Sequence, residues 1–451
     1  MRDRIWMASE ELPEKMPMFS AKGMFKWSVG FLCTALALIL IFIVLTPRDR
    51  LFTTIILFFN LFFFCNTILK SVIFVTSCFL PKTLATRKIA DEDLPIYTIL
   101  VPLFKEKKST IQQVTKALQN LHYPTEKKDI KLILEHTDKD TLANIPENLG
   151  VAFEVIVVPD SQPKTKPKAC NYALQTAKGE YVCIFDAEDI PDQNQLISAL
   201  GTLQHNNVGQ AQLTYYNWDR NVLTKMFYFE YECLFKFFLP ALQYFHLPIP
   251  LGGTSNHFKR HELNQLGGWD AYNVTEDADL GIRYYRHRKN VGIIYSETHE
   301  EAPFTMGNWL NQRSRWIKGY MQTLLVHLRQ PWRTYKELGF IKFFGFLFFI
   351  GAPTMTFVFM PFALLVSAFA FFATMPLSNG LWYFTGANLF GGIILHIGIA
   401  LTITLKTQRT TLLAYSLLYP FYWLLHPIAA LIAVFELIFA PYYWRKTIHG
   451  E

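Results

Sequence analysis

The chain has 451 residues, 51% of them hydrophobic and 16% aromatic, and a formal net charge of +7. Its length alone would suit about three soluble domains, but the apolar residues gather in long runs near the two ends, which excludes an ordinary soluble protein. The positive charge comes without a basic helix or a basic-aromatic repeat. That argues against a nucleic-acid partner and for anionic lipid headgroups and a nucleotide substrate.

Residues 1–27 read as a polar, cytosolic N-terminal tail, partly lying on the membrane, with Arg2, Arg4, Lys15, Lys22 and Lys26. Ser28 to Leu45 is an uncharged run of eighteen residues. As a helix it reaches roughly 27 Å, close to a hydrocarbon core. It has no small-residue cleavage site, and a second run, Leu51 to Leu80, follows at once. The segment 28–80 is therefore expected to form two transmembrane helices, not a signal peptide. Neither run has the polar face of a soluble helical hairpin.

The block 81–340 is expected to be a cytosolic domain. Ile96 to Val101, Ile130 to Leu134, Val155 to Val158 and Tyr181 to Phe185 read as buried strands, and Ser109 to Leu121 has helical spacing. The alternation predicts a mainly parallel sheet, with ligands at the carboxyl ends of its strands. Those ends carry Glu106, Asp138, Asp160 and Asp186, which places several acids along one rim. The aromatic stretch Asn221 to Leu242 suits a buried helix or an interfacial amphipathic one; with membrane segments on both sides the interfacial reading is preferred, and Asn308 to His327 is read as a second.

Phe343 to Ala373, Leu381 to Leu405 and Leu412 to Ala440 are the remaining apolar runs, interrupted by Pro353, Pro361, Pro420 and Pro427. The region 341–440 thus suits kinked transmembrane or re-entrant helices, three or four in number. Residues 441–451 form a short tail. Basic residues in the N-terminal tail, with Lys406 and Arg409, favour a cytoplasmic central domain; Arg48 and Arg50 oppose that orientation. The six cysteines include no C-x-x-C pair, which fits reduced thiols and a cytosolic domain.

Four motifs carry chemistry. Asp186-Ala187-Glu188-Asp189 follows the strand YVCIF, and acids so placed can share a divalent cation with a substrate diphosphate. A solvated acidic turn before Pro191 fits the tetrapeptide equally well. Thr275-Glu276-Asp277 opens a helix. Thr275 as its cap is a complete structural explanation; Asp277 as a general base is the functional one. Gln312, Arg315 and Trp316 share a helix face. Arg315 offers a fork suited to phosphate, and Trp316 a flat surface for a sugar ring. An interfacial helix, with Trp anchoring and Arg313 and Lys318 snorkelling to lipid, is the alternative. The basic loop from Pro163 to Asn171 suits a diphosphate or plain solvation. The loop Leu251 to His257 suits close approach to a ligand or a plain turn. No G-x-G-x-x-G or P-loop is present.

In this order the motifs resemble the membrane-embedded family 2 glycosyltransferases, the cellulose synthase-like group. The resemblance runs from about residue 28 to the C-terminus. It implies an α/β GT-A-type catalytic domain inserted between transmembrane helices of the inner (plasma) membrane. It implies an inverting transferase that adds sugar, with UDP-glucose the leading donor, to the non-reducing end of a growing β-glycan. The glycan would leave through the enzyme's own transmembrane channel. A non-processive transferase with a lipid acceptor and a nucleotide-binding transporter or scaffold are the alternatives. By resemblance, Asp277 is the base. Asp138, Lys168, Asp186, Gln312 and Arg315 bind the donor; Gly253, Thr254, Glu276 and Trp316 face the acceptor. Asp186 with Glu188 or Asp189 holds Mg2+ or Mn2+. The second metal acid is Glu188 with Asp189 beside it, which leaves open which of them ligates. No clear gating-loop motif follows Trp316, and the sequence has no C-terminal cyclic-di-GMP-binding domain. Both points favour a bacterial β-glucan or glucomannan synthase type over cellulose synthase proper.

Overall fold

The computed structural model describes residues 2–24, 37, 41, 44–81, 90–375 and 377–444. The expected first span, 28–45, lies almost wholly outside the described residues. Among them, four helices are long and apolar enough to cross a membrane: Arg50–Cys78, Pro331–Phe372, Asn379–Thr407 and Tyr419–Phe439. Three of these belong to the C-terminal region. Its prolines mostly fall where the helical winding changes: Pro353 follows the π-helical segment Leu347–Gly351, Pro427 follows the 3₁₀ turn Trp423–Leu425, and Pro420 lies in the first turn of the helix Tyr419–Tyr422. Pro361 lies inside the helix Ala352–Phe372.

The central domain holds one eight-stranded sheet. In chain order its strands are β1 (Tyr97–Leu103), β2 (Lys128–Glu135), β3 (Phe153–Val158), β4 (Tyr181–Ile184), β5 (Ile190–Pro191), β6 (Val208–Tyr215), β7 (Asn256–Lys259) and β8 (Val291–Glu300). They lie in the order β3-β2-β1-β4-β7-β6-β8-β5. The first four are parallel, β7 runs antiparallel to β4 and β6, and β6 and β8 are parallel. Alternate residues of β1 face opposite cores, as a pleated strand requires. Ile99 and Val101 pack with Ile111, Val114 and Leu118 of the helix Lys108–Gln119, whereas Leu100 packs with Cys170 and Ala173 of the helix Lys166–Leu174.

The aromatic stretch after β6 is not interfacial. It forms a helix, Val222–Tyr231, a π-helical segment, Glu232–Phe238, and a further helix, Leu239–Tyr244. Most of its side chains are buried, because it packs between β6 and the first described membrane helix. Its charges are absorbed internally: Lys236 pairs with Glu232 at 3.0 Å and with Glu297 at 2.7 Å. The helix Met306–His327 is likewise largely buried, against the helices Glu276–Arg286 and His426–Phe439.

The N-terminal tail also departs from expectation. Residues 2–24 lie across the central domain. Asp270 accepts from the backbone N–H of Ala21 at 2.6 Å and from Ser20 Oγ at 3.0 Å. Arg329 donates to the carbonyls of Pro17 and Ser20, and Tyr442 bonds both Ala21 and Gly23.

Candidate active site

A cavity of about 440 Å³ opens at the carboxyl ends of β1, β2 and β4 and continues down among the membrane helices. Glu106, Glu135 and Asp186 line it; Asp138 and Asp160, also expected on this rim, do not. Asp160 pairs with Lys164 at 2.8 Å. Asp138 is buried and caps the short helix Lys139–Ala143, accepting from Thr141 N–H at 3.2 Å and from Lys105 N–H at 2.5 Å. It therefore acts on the cavity only through the β1 loop, where Phe104 and Glu106 face the open space.

The turn after β4 is held in one conformation. Asp189 is fully buried and accepts from Asp186 N–H at 2.7 Å and from the Thr254 hydroxyl. Thr254 in turn bonds the Ile184 carbonyl at 3.2 Å. The two acids that the sequence left interchangeable are thereby separated: Glu188 lines the cavity, whereas Asp189 braces the turn behind it. Asp186 faces the cavity and pairs with Lys166, which also donates to the Gly253 carbonyl at 2.7 Å. Lys168, expected at the donor, is buried away from the cavity, paired with Glu135 at 2.9 Å and bonded to the Ser161 carbonyl at 2.9 Å. Lys166 occupies the place expected of it.

Asp277 and Glu276 open the helix Glu276–Arg286 and both line the cavity. A Cβ at Gly253 would lie 3.5 Å from Asp277 Oδ2, so that glycine brings the 251–257 loop against the carboxylate. Burial raises Asp277 above the usual carboxylate range; burial and the neighbouring Asp277 charge raise Glu276. Lys166 and Arg315 pull both down. Thr275 sits at the cap position, but its side chain makes no cap bond. Its hydroxyl instead abuts Gly319, where a Cβ would come within 2.3 Å. The helix Met306–His327 holds this corner further through Gln322, which accepts from Val274 N–H at 3.0 Å.

That helix brings Gln312, Arg315 and Trp316 to the cavity together. Gln312 is buried and its Oε1 has no hydrogen-bond partner. The Arg315 guanidinium lies 4.9 Å over the ring of Trp444, within the field of Glu276, Asp186, Asp277 and Glu188. Trp316 stacks on Tyr231, with ring centroids 6.1 Å apart. Arg313 and Lys318 are not lipid contacts. Arg313 is buried and grips Glu230 with two 2.6 Å bonds, and Lys318 pairs with Glu436 at 2.9 Å.

Glu300, at the end of β8, was not anticipated. Burial raises it well above the carboxylate range, with Asp189, Glu188 and Asp186 adding repulsion. Lys166 is the lysine paired with this crowd of acids. Among the described residues no three His, Cys, Asp or Glu side chains converge to cage a metal by themselves. An acidic turn beside an open cavity, with Lys166 paired to Asp186, nevertheless fits a cation that completes its shell with substrate phosphates.

Residues 181–443 match the family model described as glycosyl transferase family group 2, and residues 98–258 that of glycosyl transferase family 2. The chain is 26% identical to "Probable glycosyltransferase YdaM" of Bacillus subtilis, over 58% of this chain and 64% of that protein. It is 27% identical to a β-monoglucosyldiacylglycerol synthase of Nostoc, over 51% of this chain and 50% of that protein. It is 25% identical to "Probable glucomannan 4-beta-mannosyltransferase 3" of Arabidopsis thaliana, over 70% and 62%. The chain thus spans between half and two thirds of the length of these curated relatives. It shares its fold with the mannosyltransferase PcManGT of Pyrobaculum calidifontis, solved with GDP-Man and Mn2+. The TM-score is 0.55, the identity 18%, and the match covers 84% of this chain and 99% of the other.

Proposed function

Because this chain belongs to glycosyl transferase family group 2, we propose that it is a membrane-associated inverting transferase moving a sugar from a nucleotide donor to a lipid hydroxyl. UDP-glucose is the first donor to test. The observation that carries the reading is the placement of Asp277. It is a half-buried carboxylate with raised proton affinity, against Gly253, in the same cavity as the Asp186–Lys166 pair.

In this reading Asp277 takes the acceptor hydroxyl proton as the oxygen attacks the anomeric carbon. The bond from that carbon to the diphosphate oxygen breaks, and the nucleoside diphosphate leaves from the opposite face. Lys166 and Arg315 supply positive charge beside the leaving group. Gln312, with its unpartnered carbonyl oxygen, is available to a donor hydroxyl. A divalent cation, Mg2+ or Mn2+, would be held by Asp186 and Glu188 and would neutralise the diphosphate. Asp189 and Thr254 fix the turn that presents those two acids.

The lipid acceptor is favoured by the lower wall of the cavity. Leu69, Leu234, Phe238, Phe348, Phe349 and Ile399 line it. Two of its few polar groups are turned back onto their own helices: Asn66 donates to Phe62 O and Thr354 to Ile350 O. The wall is for the most part aliphatic and aromatic, which suits hydrocarbon better than the hydroxyls of a sugar chain. A growing β-glycan is the second reading, favoured by the Trp316–Tyr231 stack at the mouth of this compartment. In this reading the protein works at the plasma membrane with its catalytic face in the cytosol, as the basic N-terminal tail favours.

The test is incubation of membranes holding the protein with a panel of labelled nucleotide sugars, followed by organic extraction. Label in an extractable glycolipid supports the lipid acceptor. Label confined to a polymer would sink it.

A further inference from the structure

Beneath the catalytic rim, the cavity holds a cluster of side chains that sugar transfer does not use. Lys70, from the helix Arg48–Cys78, is half-buried and lines the cavity, with its ammonium 5.9 Å from the ring centroid of Trp423. Trp423 stacks with His426 at 4.7 Å and meets His396 at 5.5 Å. Phe357 covers the other side of His426, at 4.6 Å.

A lysine in such surroundings is expensive unless something answers its charge. The carboxylate that acts on it, Glu230, is already held by both nitrogens of the Arg313 fork. The neighbours are short of partners too. The indole Nε1 of Trp423 and both ring nitrogens of His426 are buried without a well-aligned hydrogen bond. His396 spends Nδ1 on the Gly392 carbonyl at 2.7 Å, which leaves Nε2 for the cavity. An ammonium, an indole N–H and the Nε2 atoms of two imidazoles together call for an oxyanion. The aliphatic and aromatic wall around them calls for hydrocarbon.

We propose that this lower compartment binds a phosphate-bearing lipid, with its head group on Lys70, Trp423, His396 and His426 and its tails against the apolar wall. The proposal rests on the lipid reading of the acceptor side and adds the head-group chemistry and the residues that meet it.

The probe is dioleoyl phosphatidate, titrated into the detergent-purified full chain and followed by native mass spectrometry. Dioleoylglycerol and inorganic phosphate are the comparisons. Phosphatidate should bind saturably, about tenfold more weakly in Lys70→Met, as expected for losing one charge-assisted contact. Lys70→Arg should restore it, and dioleoylglycerol binding should be the same in all three proteins. Equal phosphatidate binding in Lys70→Met would overturn the site. Displacement of the lipid by equimolar inorganic phosphate would overturn its assignment to a lipid.

Should Lys70→Met not fold, phosphatidate with brominated tails provides a second measurement. It should quench the parent more than Trp423→Phe; equal quenching would count against the site. The two proposals fail separately. Glycolipid product with no effect of Lys70→Met on phosphatidate binding removes this site and leaves the lipid acceptor. Polymer as the sole product removes the lipid acceptor, whatever the binding shows.

Discussion

Arg313 and Glu230 are joined by two parallel hydrogen bonds of 2.6 Å each, and Tyr422 donates to the same carboxylate at 2.8 Å. The pair ties the helix that presents Arg315 and Trp316 to the helix Val222–Tyr231 under the sheet. Removing the arginine leaves a largely buried carboxylate uncompensated. Arg313→Ala should therefore destabilise by about 3–5 kcal/mol. Arg313→Lys should recover only part of this, since an ammonium cannot reproduce the fork. Thermal unfolding of the detergent-solubilised variants measures both.

Asp277→Asn keeps the shape of the site and removes the base. Sugar transfer should fall by roughly 10²–10⁴, while nucleotide binding, measured by calorimetry, stays near that of the parent. Full transfer by this variant would end the proposed mechanism.

The two lysines in the first turn of the helix Lys166–Leu174 should part company. Lys166→Met removes a cation from the cavity, and transfer should drop by about 10² with little change in melting temperature. Lys168→Met orphans buried Glu135 and should cost on the order of 3 kcal/mol of stability. Activity and melting measured on the same preparations distinguish the roles.

The acidic pair sets a pH dependence. Burial raises Asp277, and burial with the Asp277 charge raises Glu276. The base must be ionised, so kcat/KM should fall as pH drops, with its midpoint above the ordinary carboxylate range of about 4. Lys166 lowers both groups; its removal should move that midpoint to higher pH. A profile centred near 4 in the parent would contradict the environment described.

Gly319→Ala tests the contact between the two catalytic helices. The added methyl would stand 2.3 Å from Thr275 Oγ1 and 2.7 Å from its Cβ. Overpacking of this kind costs about 1–3 kcal/mol, and the strain falls on the residue next to Glu276. Both melting temperature and kcat should decline, and Thr275→Ser should recover part of the loss.

The first four strands were legible because each centres on a short run rich in aliphatic residues. β6 was not, because VGQAQLTY reads as polar. Its glutamines are buried but satisfied locally: Gln210 bonds the Ala211 and Thr254 carbonyls, and Gln212 bonds that of Phe235. The stretch 221–242 was misread for a related reason. Charges among aromatics suggest an interface, but the partners Glu297 and Arg313 that bury them come from distant sequence. The motif residues were found by type, yet their spacing could not say which lysine faces inward. Pro167, in the first turn of the helix Lys166–Leu174, was the signal: it sets the helix start, and with it Lys166 at the cavity edge and Lys168 in the core. Glu300 and Trp444 carried no signal of their own.

The N-terminal segment also ties distant parts of the fold to one another. Ala21 and Gly23 are hydrogen-bonded to Tyr442, while Ser20 and Ala21 hold Asp270. One short strap thus links the residues after the last apolar helix to the loop before Thr275. A shift at either end of the strap is therefore felt at the other.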